Sequence, residues 1–199
     1  SDVRDLTANN LTASVTSSAV TMDHTAPILP EVSGVTPTND TTPTWTWNSG
    51  GGGNGTFRYQ LDSEAGTWTT TTDRIWTPGT ELTPGVHTLY VQERDTAGNW
   101  SSSGSFAITV DITPPNAPVV TGTTPTNDTT PTWTWSSGGG GGNSTYRYQL
   151  DSEAGIWTTT ATLTTWTADT DLTAGVHTLY VQERDDAGNW SVSGHFAIT

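Results

Sequence analysis

Six acidic side chains stand where oxygen ligands could gather: Asp23, Glu93, Asp95, Asp111, Glu183 and Asp185. Glu93 and Asp95 are two residues apart, as are Glu183 and Asp185, so on a strand each pair points to one side. The last strand of one unit runs toward Asp111, and the hairpin after Asp185 in the next unit must face that exit. Glu183, Asp185, Asp186 and Asn189 then converge on Asp111, and Glu93 and Asp95 converge on Asp23. Three or four carboxylates in one place repel each other without a cation. Calcium takes about 6–8 oxygen ligands and fits this need, which makes the six residues candidate interdomain calcium ligands. The plainer alternative is a set of solvated rim charges, with Asp95 and Asp185 each starting a turn.

Other spacings carry less chemistry. Asp62 with Glu64, and Asp151 with Glu153, have the form of paired carboxylates for glycoside hydrolysis. Each pair precedes Ala-Gly at a strand end, so a turn is the better reading. The histidines His24, His87, His177 and His195 are scattered. His87 and His177 are in phase with inward Leu89 and Leu179, which predicts packed imidazoles rather than ligands. With no Cys there is no thiolate site, no Cys nucleophile and no disulfide framework. The glycine runs Gly50–Gly53 and Gly138–Gly142 lack the Gly-Lys-Ser/Thr of a phosphate cradle, and read as flexible loops. No catalytic residue is assigned and the expectation is not an enzyme; calcium is the one cofactor the pattern suggests.

The elements that position these residues follow from an internal repeat. Pro37–Trp47 recurs letter for letter as Pro125–Trp135 at an offset of 88. Arg58–Gly66 recurs as Arg147–Gly155 at 89, and His87–Asp95 as His177–Asp185 at 90. Roughly four-fifths of aligned positions are identical. The two added residues lie in the glycine run and between the tryptophans matched to Trp68 and Trp76, which marks surface loops. A period near 88 is a small domain rather than a solenoid turn. The adjacent prolines of Ile112-Thr113-Pro114-Pro115 end a strand and stiffen the link, and Met22–Pro27 has the same form. The expected units are the end strands of a preceding domain over 1–23, a first repeat over 24–111, and a second over 112–199 with its last strand cut short.

Within a repeat, alternation predicts short strands. Trp45 and Trp47 share one face, Phe57, Tyr59 and Leu61 another inward row, and Leu89 and Val91 a third. Ala97-Gly98-Asn99 forms the turn between the last two strands. The fold class is all-β: two tandem immunoglobulin-like, fibronectin-III-like sandwiches, each roughly 35–40 Å long. The chain has 44 Thr, 21 Gly and 11 Pro and only 31% hydrophobic residues. All ten Trp fall inside the repeats, five in each, and aromatic rings supply the bulk of the core.

Charge narrows the function further. The chain has 199 residues, no Lys, 6 Arg and a net charge of -14. That excludes a phosphate-tracking nucleic-acid binder and docking on anionic lipid. No apolar run approaches the ~18 residues of a membrane span.

The run Gly-Val-His-Thr-Leu-Tyr-Val-Gln-Glu-Arg-Asp-x-Ala-Gly-Asn-Trp, followed in the first copy by Val110-Asp111-Ile112-Thr113-Pro114-Pro115, resembles bacterial immunoglobulin-like repeats. These occur in tandem in large surface proteins, including RTX-type adhesins and biofilm proteins. The resemblance covers 24–199. It implies a non-catalytic extender of a bacterial surface adhesin, extracellular, projecting a distal adhesive domain, with joints that calcium rigidifies in some arrays. The implied partners are neighbouring immunoglobulin-like repeats in the same chain, and a host or matrix surface reached through other domains. The alternative is a carbohydrate-binding sandwich that uses exposed Trp76 and Trp166, or Trp100 and Trp190.

Overall fold

The structure is a computed structural model and describes residues 22–199. The expectation for residues 1–23 falls, apart from its last two residues, outside the described part.

Among the described residues fourteen strands follow one another with no helix between them. The first seven are β1 (Glu31–Gly34), β2 (Trp45–Asn48), β3 (Thr56–Leu61), β4 (Thr69–Thr71), β5 (Ile75–Trp76), β6 (Gly85–Arg94) and β7 (Gly104–Val110). They build a three-stranded sheet in the order β1-β2-β5 and a four-stranded sheet in the order β4-β3-β6-β7. The next seven are β8 (Val119–Gly122), β9 (Thr132–Ser136), β10 (Gly142–Leu150), β11 (Thr158–Ala161), β12 (Thr165–Thr167), β13 (His177–Asp185) and β14 (Gly194–Ile198). Their sheets run β12-β9-β8 and β11-β10-β13-β14, so the second set repeats the first. All pairings within the sheets are antiparallel. The described chain is all-β, two tandem sandwiches each made of a three-stranded and a four-stranded sheet.

Period-two alternation sets each face. In β2, Trp45 and Trp47 are buried while Thr46 and Asn48 face outward. Phe57 of β3 is fully buried, and Tyr59 and Leu61 pack against the same core as half-buried neighbours. Leu89 and Val91 of β6 and Ile108 of β7 close it. The second core has the same composition, with Tyr146 in place of Phe57. Rings touch across the sheets: Trp45 lies 5.6 Å from Trp76, and Trp47 lies 6.1 Å from both Phe57 and Tyr59. Trp45 also donates its indole N–H to the Phe106 carbonyl at 3.0 Å, and Trp133 repeats this on Phe196. Burial of large amphipathic rings therefore replaces the aliphatic core that the composition lacks.

The end of β7 is zipped to the turn after Pro37. Thr38 donates its N–H to Thr109 at 3.0 Å, and Asp111 donates back to the Thr38 carbonyl at 2.9 Å. Thr38 and Val110 form a parallel bridge. This lattice fixes where the chain leaves the first sandwich.

Candidate functional site

The hairpin between the last two strands of each repeat is held by its first aspartate. Asp95 accepts the backbone N–H groups of Gly98 and Asn99 on one oxygen, at 2.6 and 2.8 Å, and the Asn99 side-chain amide on the other, at 2.8 Å. Asp185 receives the same three donors from Gly188 and Asn189, at 2.7, 2.8 and 2.9 Å. Gly98 and Gly188 both have a φ of +104°, a conformation that only glycine adopts without cost. The Asn99 side chain, followed by the backbone donors, holds the Asp95 carboxyl below the ordinary carboxylate value of 3.8.

The same asparagine reaches out of the repeat. The Asn189 side-chain amide donates to the Asp111 main-chain carbonyl at 2.8 Å. The Asn99 amide donates to the Asp23 carbonyl at 3.0 Å. At the middle of the chain a second bond joins the two sandwiches, from the Asn39 N–H to the Ala187 carbonyl at 2.9 Å. Asn39 belongs to a turn ordered from within: Asp40 donates its N–H to the Thr38 hydroxyl, and its carboxylate accepts from the Thr42 N–H and hydroxyl. The seam is thus made by two preformed turns, one from each sandwich.

The six candidate calcium ligands occupy this region in unequal ways. Asp95 and Asp185 lie at the seam hairpins, but their oxygens are filled by N–H donors. Asp111 and Asp23 meet the seam through their main-chain carbonyls, while their carboxylates accept the N–H groups of Thr113 and Thr25. Glu93 and Glu183 are 1% and 0% exposed, so they are core groups rather than rim charges. Ser49 and Ser137 donate hydroxyls to them, and Gly55 and Ser144 donate N–H groups at 3.3 Å. Glu183 and Asp185 share a buried side of β13, yet hydrogens already point at their oxygens. Among the described residues no group of three or more His, Asp or Glu side chains is arranged to hold a metal ion.

The glycine runs, expected as flexible loops, are packed at their ends, while a Cβ on Gly139 or Gly141 would meet nothing within 4 Å. A Cβ added to Gly53 would overlap the Glu93 carboxylate, and one on Gly142 would overlap that of Glu183. Gly50 and Gly138 press on the main chain at Leu29 and Ala117 in the same sense. The glycines let backbone close over a buried carboxylate.

The histidines are not simply packed. His87 faces Asp62 at 2.8 Å and the Thr83 carbonyl at 2.7 Å; His177 faces Asp151 and Thr173 at 2.7 and 2.8 Å. Both ring nitrogens point at acceptors, so a doubly protonated ring donates to both. The hydrogen bond to the aspartate, then the carbonyl, raises both imidazoles above the usual 6.5. Asp62 and Asp151 also accept the N–H groups of Thr88 and Thr178. These are structural strand-end pairs, not paired catalytic carboxylates.

The tryptophans proposed as a sugar platform all face protein. Trp76 and Trp166 stack on the core rings, Trp166 lying 5.6 Å from Trp133. Trp100 lies over the Arg58 guanidinium at 4.3 Å, and Trp190 over that of Arg147 at 4.4 Å. Trp68 and Trp157 flank the same arginines at 4.8 and 4.9 Å. Sequence reading missed this ladder, because nothing in the spacing ties Arg58 to a ring some forty residues later.

Comparison with known proteins agrees with the first repeat. Residues 31–112 match the family model described as Bacterial Ig-like domain, and the second repeat carries the same residues at most positions. No curated protein sequence matches the chain. Among solved structures, the chicken CNTN1 FN1-FN3 domains are similar with a TM-score of 0.48 and 14% identity, over 87% of this chain and 67% of that one. Fibronectin(III)-like modules of Clostridium thermocellum CbhA are similar with a TM-score of 0.49 and 15% identity, over 85% and 93%.

Proposed function

We propose that this chain is a non-catalytic spacer of a bacterial cell-surface adhesin, in which tandem sandwiches hold a distal adhesive domain away from the cell. Bacterial Ig-like domains are typically extracellular structural repeats, and the match over 31–112 supports that setting. The observation that carries the reading is the seam: one preformed hairpin receives both the exit carbonyl of Asp111 and the Asn39 N–H. Together with Pro114 and Pro115, these bonds oppose bending between the sandwiches. Stiffness comes from hydrogen bonds and proline, so calcium is not part of the reading. The carbohydrate-binding alternative has no support from the tryptophans, which already stack on arginines or on the core.

Small-angle scattering of the chain and of Asn189→Ala tests this. The expected result is one elongated shape for the parent and a broadened distance distribution for the variant. A parent that scatters as two freely jointed bodies, with the variant superimposed on it, overturns the reading. At the cell surface, deleting repeats from a displayed array shortens the distance at which adhesion is measured.

A further inference from the structure

Asn-Gly occurs once in the chain, at Asn54-Gly55, in the glycine cover of the first repeat. A main-chain nitrogen can attack the side-chain amide of an asparagine just before it, and glycine leaves that nitrogen unhindered. Gly55 has a φ of +80°, and a Cβ there would meet nothing within 4 Å. The attack therefore has room, and Asn54 itself is exposed to water.

The folded chain places a group at each atom that must change. The Thr56 N–H donates to Oδ1 of Asn54 at 2.9 Å. This closes a turn that folds the side chain back over the Gly55 peptide, and it puts a donor on the oxygen where negative charge develops. The Asp95 main-chain carbonyl accepts from Nδ2 at 2.9 Å, so the amide is held in one orientation. The Gly55 N–H points at Oε1 of Glu93 at 3.3 Å, and Glu93 is 1% exposed, so bulk water does not compete for that oxygen. A general base must lie within hydrogen-bond reach of the proton it takes, and such bonds are often long before the reaction begins.

We propose that Asn54 is a self-modifying site, which the folded chain converts to aspartate and isoaspartate with water as the only co-reactant. The Gly55 nitrogen bonds to Cγ of Asn54 as its proton passes to Glu93. The tetrahedral carbon then expels Nδ2 as ammonia, which carries away the proton that Glu93 held, and the carboxylate is restored. Water opens the cyclic imide at either carbonyl. One opening gives aspartate, and the other gives isoaspartate with an added methylene in the main chain. Both products carry a carboxylate where the amide was, so position 54 no longer donates to the Asp95 carbonyl and gains a negative charge beside Glu93. The cover loses its hold on the first hairpin, and the first repeat ages.

The second repeat supplies the comparison. Thr145 donates to Oδ1 of Asn143 at 3.0 Å, Nδ2 donates to the Asp185 carbonyl at 3.0 Å, and the Ser144 N–H points at Glu183 at 3.3 Å. The amide is held further by the Asp186 carboxylate at 3.1 Å, and the Ser144 side chain crowds the attacking nitrogen.

The test follows both asparagines by peptide mass spectrometry while the whole chain stands at neutral pH, with isoaspartate identified by enzymatic methylation. In the folded chain Asn54 is expected to convert at least about tenfold faster than Asn143, and at least about tenfold faster than Asn54 in the same chain unfolded in guanidinium chloride. Glu93→Gln keeps an acceptor for the Gly55 N–H without a base, and is expected to bring Asn54 down to the unfolded rate. An Asn54 that stays intact, or converts no faster folded than unfolded, overturns the proposal; that comparison needs no substitution and decides the matter if Glu93→Gln does not fold. A folded Glu93→Gln chain that converts Asn54 at the parent rate overturns it as well.

Discussion

Gly53→Ala isolates the role of the glycine cover. Gly53 does not occupy the left-handed region, so alanine suits its backbone and the clash is the only change. The added Cβ would overlap Glu93 at Cγ, Cδ and Oε1. Glu93 has nowhere to retreat, because it is 1% exposed and sits opposite the fully buried Phe57. A shift of its carboxylate breaks the bonds from Ser49 and Gly55. Hydrogen bonds to a charged group contribute about 1.5–3 kcal/mol each, and stripping the partner from a buried charge costs about 3–5 kcal/mol. We expect the first repeat to lose about 3–5 kcal/mol, out of the roughly 5–15 kcal/mol that a domain possesses. At ~4–8 °C per kcal/mol for a domain of this size, its melting temperature falls by at least about 12 °C. Differential scanning calorimetry reads this directly. Gly79→Ala is the control, since its new Cβ meets nothing within 4 Å, and its effect stays within about 1 kcal/mol. If Gly53→Ala melts within about 2 °C of that control, the loop does not press on the carboxylate and the argument fails.

Three further outcomes follow from the same geometry. Ser144 has a φ of 63° where the first repeat has Gly55 at 80°, so Ser144→Gly stabilises the second repeat by about 0.5–1 kcal/mol in urea unfolding; a loss of stability contradicts the strain. His87 and His177 are raised above 6.5, so the folded state favours their protonated form, and that stability is complete below 6.5 and is lost as pH rises through the folded values. Melting temperature therefore declines on going from mildly acidic to alkaline buffer, and the double variant His87→Gln with His177→Gln flattens the profile; a parent already flat refutes the pairing. EGTA leaves the melting temperature within about 1 °C and the scattering unchanged, because no three acidic side chains gather to hold a metal among the described residues and both oxygens of Asp95 and Asp185 already accept N–H groups; a drop on chelation returns calcium to the joint.

Much of this architecture is legible in the residues. The offsets of 88 to 90 place two equal units, and the Trp45-Thr46-Trp47 alternation states which face is buried. Glu183 and Asp185 do share a side of β13, and Ala97-Gly98-Asn99 does turn. What was hidden depends on contacts distant in sequence. The segment from Trp68 to Trp76 is Thr-rich and without alternation, so its division into β4 and β5 on different sheets carries no local signal. His87 finds Asp62 only once Leu61 is set opposite Leu89. A glycine run says that backbone is free of side chains, and leaves open whether it is loose or pressed against a buried acid. Burial of Glu93 and Glu183 is likewise invisible, since carboxylates are rarely buried without partners and the serines that satisfy them lie some forty-five residues away.

The five described arginines all lie over aromatic rings, and among the described residues none pairs with a carboxylate. Dissolved ions weaken exposed charge pairs over a few ångströms, but guanidinium stacked on indole is shielded by the ring itself. The molecule thus has few contacts for brine to erode, and its uncompensated acidity binds a layer of water and counterions. Salt also screens the mutual repulsion of a net charge of -14, so sea water should hold it folded at least as firmly as fresh water.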